Sequence, residues 1–213
     1  MDYLIYILAI CISAPLILMT FVADPKSRRL FGFIILGMYI AVLASEINSI
    51  FAYLCKDTLD NFHLTITVTP VCEEILKALP LLFTAIMISD NREVLFQQAM
   101  SIGLGFAILE NTFILIKNVE TASLLWALIR GFSSGLMHAL CTISVGIGIS
   151  LVNKRRKLFF CSTFAWLMTA TIYHSLFNML TQSDYVYVGV AIPIVSYIPI
   201  AIVIWKRRLN AAK

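Results

Sequence analysis

Residues 64–88 read LTITVTPVCEEILKALPLLFTAIMI, a mainly apolar stretch interrupted by two glutamates and a lysine. A helix needs about 20 mainly apolar residues to cross the hydrocarbon core of a bilayer, and this stretch is long enough. Six more stretches share this character, at approximately 3–23, 30–54, 94–116, 121–152, 158–181 and 185–205. We therefore expect an all-α fold, a polytopic transmembrane bundle of about seven spans.

The composition of the whole chain favours a membrane protein. Of the 213 residues, 60% are hydrophobic and only 13% are charged, whereas about a quarter of the residues in a soluble domain are charged. The connections between the apolar stretches are short, which predicts one integral membrane domain over residues 1–213 in contact with the lipid bilayer. The net charge of +4 does not indicate nucleic-acid binding, because the basic residues lie in short clusters between apolar stretches.

The lysines and arginines predict the orientation of the chain, since the cytoplasmic loops of membrane proteins carry an excess of them. With seven spans, alternate connections lie on the same side of the membrane. One side then carries twelve basic residues, which are Lys26, Arg28, Arg29, Arg92, Lys154, Arg155, Arg156, Lys157, Lys206, Arg207, Arg208 and Lys213. The other side carries Lys56 and Lys117. The N-terminus is therefore predicted outside and the C-terminus in the cytoplasm.

Ionisable residues inside the apolar stretches are the candidates for a functional site. Each costs at least about 2.5–3.5 kcal/mol to insert, and such groups persist by pairing or by lining a wet cavity. The chain has eight of them, which are Glu46, Glu73, Glu74, Lys77, Glu110, Arg130, His138 and His174. Asn48, Asn111 and Asn178 lie beside them in the sequence.

The spacing Glu73-Glu74-x-x-Lys77 places the lysine one helical turn from both carboxylates. One carboxylate is then free to hold a proton or a water, because two adjacent carboxylates in low dielectric do not both ionise cheaply. A general base working near neutral pH requires such a group. Pro70, with Thr69 as its cap, fits the first turn of a helix or a break in a longer span. In either case we expect Glu73 near a helix N-terminus, where negative charge is favoured.

His174 and Asn178 form an i, i+4 pair on one helical face, and such donors could hold a developing oxyanion. Glu110 ends another i, i+4 pair, Phe106-x-x-x-Glu110, and His138 stands alone. Measured from the predicted external ends, Glu110 and His174 lie about 10 Å deep and Glu73 about 15 Å deep. We therefore expect a shared cavity that opens to the outside.

Structural interpretations of some residues remain open at this point. In the structural interpretation, Lys77 only neutralises Glu74, and Arg130 only extends its guanidinium to the membrane interface. Glu46 and Asn48 have no partner at a recognisable spacing. Two histidines and three glutamates in so apolar a chain nevertheless favour a site over a set of isolated contacts.

Four motifs in order resemble the motif series of the PrsW intramembrane proteases. They are Glu73-Glu74-x-x-Lys77, Phe106-x-x-x-Glu110 followed by Asn111, the single His138, and His174-x-x-x-Asn178. They occupy a motif-bearing core of about 64–181. The PrsW proteases belong to a superfamily with the type II CAAX prenyl proteases and the APH subunit of γ-secretase. The CAAX branch typically has arginine and histidine where this chain has Lys77 and Glu110, and this difference favours the PrsW branch.

The resemblance implies hydrolysis of a peptide bond within or beside a bacterial plasma membrane. PrsW itself is similar in being a site-1 protease that cuts the extracytoplasmic part of an anti-sigma factor in a stress response. The implied partner is therefore a single-span membrane protein. Carried over to these positions, Glu73 activates the water, and Glu74 with Lys77 supports and orients it.

The resemblance also implies roles for the remaining motif residues. Glu110 and His138 complete the set of groups around the reacting atoms, and His174 with Asn178 polarises the scissile carbonyl. A zinc or other divalent ion, if it takes part, would be held by Glu73, Glu110, His138 and His174. The chain has no H-E-x-x-H motif, and the relatives can be interpreted as glutamate-type hydrolases. We slightly favour the metal-free mechanism.

Two other classes of function are alternatives. A non-catalytic scaffold of the APH type would use the same polar residues for assembly with a partner. A proton or ion transporter would use them as a relay. The sequence shows no internal repeat of the kind that many transporters carry, which argues against transport.

Overall fold

The computed structural model describes residues 3–153 and 156–211, and these residues form seven helices without a β-strand. The helices are α1 (Leu4–Val22), α2 (Pro25–Leu54), α3 (Asn61–Met87), α4 (Arg92–Lys117), α5 (Leu124–Ile149), α6 (Arg156–Thr181) and α7 (Val186–Ala211). Each helix corresponds to one of the apolar stretches in the sequence. The all-α prediction is confirmed.

Within the described residues, four helices are long and apolar enough to cross a membrane, namely α1, α2, α4 and α5. The composition of α3 excludes it from that set, because Glu73, Glu74 and Lys77 lie in its middle. This architecture is that of a membrane-embedded helical bundle. The count of seven spans and the orientation stay predictions, and Lys154, Arg155 and Lys213, on which the orientation partly rests, lie outside the described residues.

Capping side chains set where two of the helices begin. The Asp24 carboxylate accepts hydrogen bonds from the backbone N–H groups of Lys26 and Ser27, so α2 begins at Pro25, five residues before the predicted span. Ser123 accepts from the backbone N–H of Trp126, and α5 begins after it. The unusually long fifth stretch therefore contains one ordinary helix of 26 residues.

One prediction about α3 is wrong. Thr69 does not cap a helix, and Pro70 lies inside a continuous helix that begins at Asn61, where the Asp60 carboxylate accepts from the backbone N–H of His63. Glu73 consequently lies about three turns from the helix N-terminus. The prediction failed because proline is tolerated inside helices that pack against others in a membrane protein.

Close packing of α4 against α5 sets the position of His138 relative to Glu110. A Cβ added at Gly103 of α4 would lie 2.6 Å from the backbone oxygen of His138 in α5, a distance that real Cβ atoms do not adopt. Only glycine therefore allows the two backbones to approach this closely. The contact places His138 beside the face of α4 that carries Glu110.

Candidate functional site

Six ionisable side chains from four helices meet in the middle of the bundle. We call them the central polar cluster, and they are Glu73, Glu74 and Lys77 of α3, Glu110 of α4, His138 of α5 and His174 of α6. Five of them are at most 5% exposed, while the Glu110 side chain is 27% exposed. The sequence-predicted site residues thus lie together, with the exception of Asn178.

Glu74 is the carboxylate of the cluster that pairs with a lysine, although its Oε2 is buried without a hydrogen-bond partner among the described residues. Its Oε1 accepts hydrogen bonds from Lys77 Nζ at 2.6 Å and from His174 Nδ1 at 2.9 Å. The i, i+3 pairing of Lys77 with Glu74 is one of the two pairings that the sequence spacing allows. Because a salt-bridged carboxylate only accepts hydrogen bonds, His174 must carry its proton on Nδ1. In the neutral imidazole, Nε2 then carries the lone pair.

Contacts on both ring nitrogens also define the tautomer of His138. Lys77 Nζ lies 3.1 Å from Nδ1, and an ammonium group only donates. Nδ1 is therefore the acceptor, and Nε2–H donates to Glu110 Oε2 at 2.6 Å. Arg130 lies 3.8 Å from the other oxygen of Glu110, so its guanidinium faces this carboxylate and does not extend away to the interface.

Glu73 makes weaker contacts with its neighbours than Glu74 does. Its Oε1 receives one long hydrogen bond, 3.5 Å, from the amide of Asn48. Its Oε2 is buried and has no hydrogen-bond partner among the described residues. This oxygen lies 3.8 Å from Nε2 of His174, which carries a lone pair. A donor that hydrogen-bonds to both atoms would stabilise two acceptors at this separation, and a water molecule can do so.

The Asn178 side chain does not lie where the oxyanion prediction places it. Its amide donates to the backbone oxygen of Thr65 at 2.9 Å. Thr65 precedes Glu73 by eight residues, a distance of about 12 Å along α3. The contact joins α6 to the first half of α3, so the geometry supports a role for Asn178 in helix packing.

Sequence reasoning gave no role to two residues that contact the cluster. Asn48 reaches Glu73 from α2, and the ring of Phe106 lies 4.7 Å from Lys77 Nζ and 4.9 Å from the His138 ring. The cation–π contact helps to stabilise an ammonium group that has no access to water. Asn48 was visible in the sequence as an amide inside an apolar stretch, but its partner on α3 was not.

Three members of the cluster could together hold a metal ion. Glu73, His138 and His174 each offer one donor atom, and these atoms lie within 4.8 Å of one another. Glu73 Oε2 has no hydrogen-bond partner among the described residues, and His174 Nε2 lies 3.8 Å from it. The contact of His174 Nδ1 with Glu74 orients this ring as metal-bound histidines are commonly oriented. His138 would bind through a nitrogen that now contacts Lys77 or Glu110. The donor set thus fits a divalent ion once that contact is released.

Comparison with known proteins adds one finding. The sequence model of the family described as PrsW family intramembrane metalloprotease matches residues 25–204, a range that includes the whole central polar cluster. No curated protein and no solved structure matches the chain.

Proposed function

The chain belongs to the PrsW family of intramembrane metalloproteases, and on that premise we propose that it hydrolyses a peptide bond of a membrane-anchored regulatory protein on its extracytoplasmic side. The observation that carries the proposal is the pair of buried acceptors, Glu73 Oε2 and His174 Nε2, 3.8 Å apart. Buried polar groups in proteins are usually hydrogen-bonded, and we propose that the reactant water bridges these two atoms.

Glu73 acts as the general base of the proposed reaction. A water that donates one proton to Glu73 and the other to His174 has its oxygen lone pairs free for attack. As the oxygen bonds to the peptide carbonyl carbon, Glu73 takes the proton, and it then delivers this proton to the amide nitrogen as the C–N bond breaks. The products are a new carboxylate and a new amine.

The other members of the cluster hold these two groups in place. Glu74 fixes the orientation and tautomer of His174, and Lys77 balances the charge of Glu74. His138 positions Lys77 from the opposite side and is itself held by Glu110. When a divalent ion is bound by Glu73, His138 and His174, it supplies Lewis-acid polarisation of the substrate carbonyl.

The proposed substrate is a single-span protein of the anti-sigma-factor type in a bacterial plasma membrane. The Thr65–Gln182 hydrogen bond brings the beginning of α3 and the end of α6 to the same end of the bundle. The Lys/Arg distribution predicts that this end faces outward. Cleavage on that side would start a stress response by site-1 proteolysis.

Incubation of the purified protein with a single-span, anti-sigma-factor-like substrate, with and without a chelator, tests the proposal. We expect one cut near the external end of the substrate helix, mapped by mass spectrometry of both fragments. Loss of cleavage with the chelator, and its return with added zinc, would assign the metal-dependent mechanism, whereas unchanged cleavage would assign the glutamate type. An intact substrate that instead co-purifies with the protein would contradict hydrolysis and favour a scaffold.

A further inference from the structure

A cavity lined by both apolar and polar side chains lies where α2 ends and α3 begins. Its volume is about 420 Å³, which falls within the ~300–1,000 Å³ of ligand pockets in general. Side chains that line it include Ser45, Ser49, Asn48, Thr65, Thr69 and Lys117. Ser49 and Lys117 are exposed at its rim, and Leu64, only 6% exposed, is buried at its inner side. We call it the α2–α3 cavity.

Asn48 connects this cavity with the central polar cluster. The same side chain lines the cavity and donates to Glu73 Oε1 at 3.5 Å. Its Oδ1 is buried and has no hydrogen-bond partner among the described residues. A ligand in the cavity would therefore contact the side chain that donates to the proposed general base.

The lining of the cavity suits a polypeptide backbone. Ser49 donates its hydroxyl proton to the backbone oxygen of Ser45, and Thr65 donates to that of Phe62, both at 2.8 Å. A hydroxyl that donates still has lone pairs with which to accept, although that of Thr65 already accepts from the Gln182 amide at 3.2 Å. A substrate segment that leaves its helix at membrane depth needs such partners, because each unpaired backbone N–H there costs several kcal/mol.

We propose that the α2–α3 cavity binds an extended segment of the substrate and that Asn48 is the positioning residue at its inner end. Asn48 accepts a backbone N–H of the segment through Oδ1 and orients Glu73 through its amide N–H. The inference rests on the proposed function for the identity of the ligand, but peptide binding in the cavity can be measured without turnover.

Cysteine labelling tests the cavity itself. Thr69→Cys lines the cavity, whereas Val71→Cys, two residues further along α3 and not among the lining residues, replaces a side chain that is 37% exposed. Both are placed in a variant whose native cysteines are alanine, and they react with a charged, membrane-impermeant thiol reagent. We expect Thr69→Cys to react and Val71→Cys to stay unlabelled, because a thiol in apolar surroundings ionises poorly. Equal labelling of the two, or no labelling of Thr69→Cys, would overturn the proposal.

Protection from labelling then separates binding from catalysis. The probe is a single-span protein with a flexible external segment, added to Thr69→Cys that also carries Glu73→Gln so that no cut occurs. Slower labelling in the presence of the probe supports the cavity as the binding site, whether or not the wild type cleaves the probe. If the wild type cleaves nothing, only the proposed hydrolysis is contradicted. Unchanged labelling by a probe that the wild type does cleave would overturn the cavity and leave hydrolysis standing.

Two substitutions of Asn48 test its positioning role by separating KM from kcat. Asn48→Leu removes both contacts, so we expect KM to rise about tenfold, the effect of one lost hydrogen bond, and kcat to fall as well. Asn48→Asp keeps an acceptor for the substrate but cannot donate to Glu73, so kcat should fall with KM nearly unchanged. Gln98→Leu, which removes another buried amide away from the cavity, is the matched control. The proposal fails if both Asn48 variants behave like this control.

Discussion

Two regions of this bundle carry a glutamate in an apolar helix, a half-buried one in α2 and a buried one in α3, and the two differ in their contacts. At the contact of α1 with α2, the Glu46 carboxylate accepts a hydrogen bond of 2.6 Å from the hydroxyl of Tyr6. In the central polar cluster, Glu73 has one long contact from Asn48 and one oxygen without a partner. The Glu46 carboxylate is hydrogen-bonded by a neighbouring side chain, whereas one oxygen of Glu73 is available to bind another molecule.

This difference shows that an ionisable residue at membrane depth does not by itself mark a site. Both glutamates lie in apolar stretches and are costly to insert. Glu46 joins two helices through one hydroxyl, as a structural contact does. Glu73 lies beside a histidine lone pair and among four further ionisable groups, which hold one another and not Glu73. Substitutions in and around the central polar cluster test whether this contrast corresponds to a contrast in function.

The largest effect is expected for His174→Phe, which keeps an aromatic ring but removes both nitrogens. Turnover should fall by about 10²–10⁴-fold, the range for loss of a group that handles protons in the reaction. Tyr173→Phe is the control next to it, because the Tyr173 hydroxyl contacts only Ser196 among the described residues. Initial rates of substrate cleavage measure both. Similar rates for the two variants would remove the functional distinction of the cluster.

Lys77→Met should destabilise the fold by about 3–5 kcal/mol, because it leaves the buried carboxylate of Glu74 without its cation. Both side chains are at most 1% exposed. Unfolding in mixed detergent measures the change in the free energy of unfolding. The double variant Glu74→Leu/Lys77→Met should recover much of that stability, since no uncompensated charge remains. If the single variant is as stable as the wild type, the ion pair is not the support of the cluster that we infer.

Asn178→Leu distinguishes the two roles that Asn178 could have. As a packing contact to Thr65, it should cost about 1 kcal/mol of stability and change kcat little. As an oxyanion donor, as the sequence predicts, its loss should lower kcat by about 10²–10³-fold. Rates and unfolding free energies of the same preparation decide between them, and a large loss of kcat would contradict the packing role.

The smallest effect is expected at the N-terminus of α3. The backbone N–H of His63, followed by its imidazole, hydrogen-bonds the Asp60 carboxylate and lowers the pKa of Asp60 from its ordinary 3.8. A lowered pKa means that this contribution to stability is present above pH 3.8 and is lost as the pH falls through the folded-state value. The protection factor of the first-turn amides against hydrogen exchange, taken relative to the intrinsic rate at each pH, should therefore fall on acidification in the wild type. Asp60→Asn keeps a capping oxygen but does not titrate, and an identical pH profile for both would contradict the assignment.

Residue spacing in the sequence predicted some of the contacts within the central polar cluster. The contact of Lys77 with Glu74 follows from their separation by three residues, and the helices follow from the apolar stretches. Where a capping residue starts a helix early, as Asp24 does, the apolar pattern alone placed the boundary too late. The capping signal was present in the sequence as Asp24-Pro25.

Contacts between helices could not be predicted in this way. Hydropathy identifies the residues of a helix but not its rotation against its neighbours, which packing decides. The contact of His138 with Glu110 depends on the close approach at Gly103. The contacts Asn48–Glu73 and Tyr6–Glu46 likewise join helices that share no motif. For the same reason the motif His174-x-x-x-Asn178 wrongly suggested that both side chains reach one point.

The cleavage rates of Glu73→Gln and Glu46→Gln on one single-span substrate test the central claim most directly. Each substitution replaces a carboxyl group in an apolar helix with an amide of almost the same shape. We expect Glu73→Gln to lower turnover by about 10²–10⁴-fold while it stays folded, and Glu46→Gln to cleave at the wild-type rate. Full turnover by Glu73→Gln, or equal losses in both variants, would contradict the account.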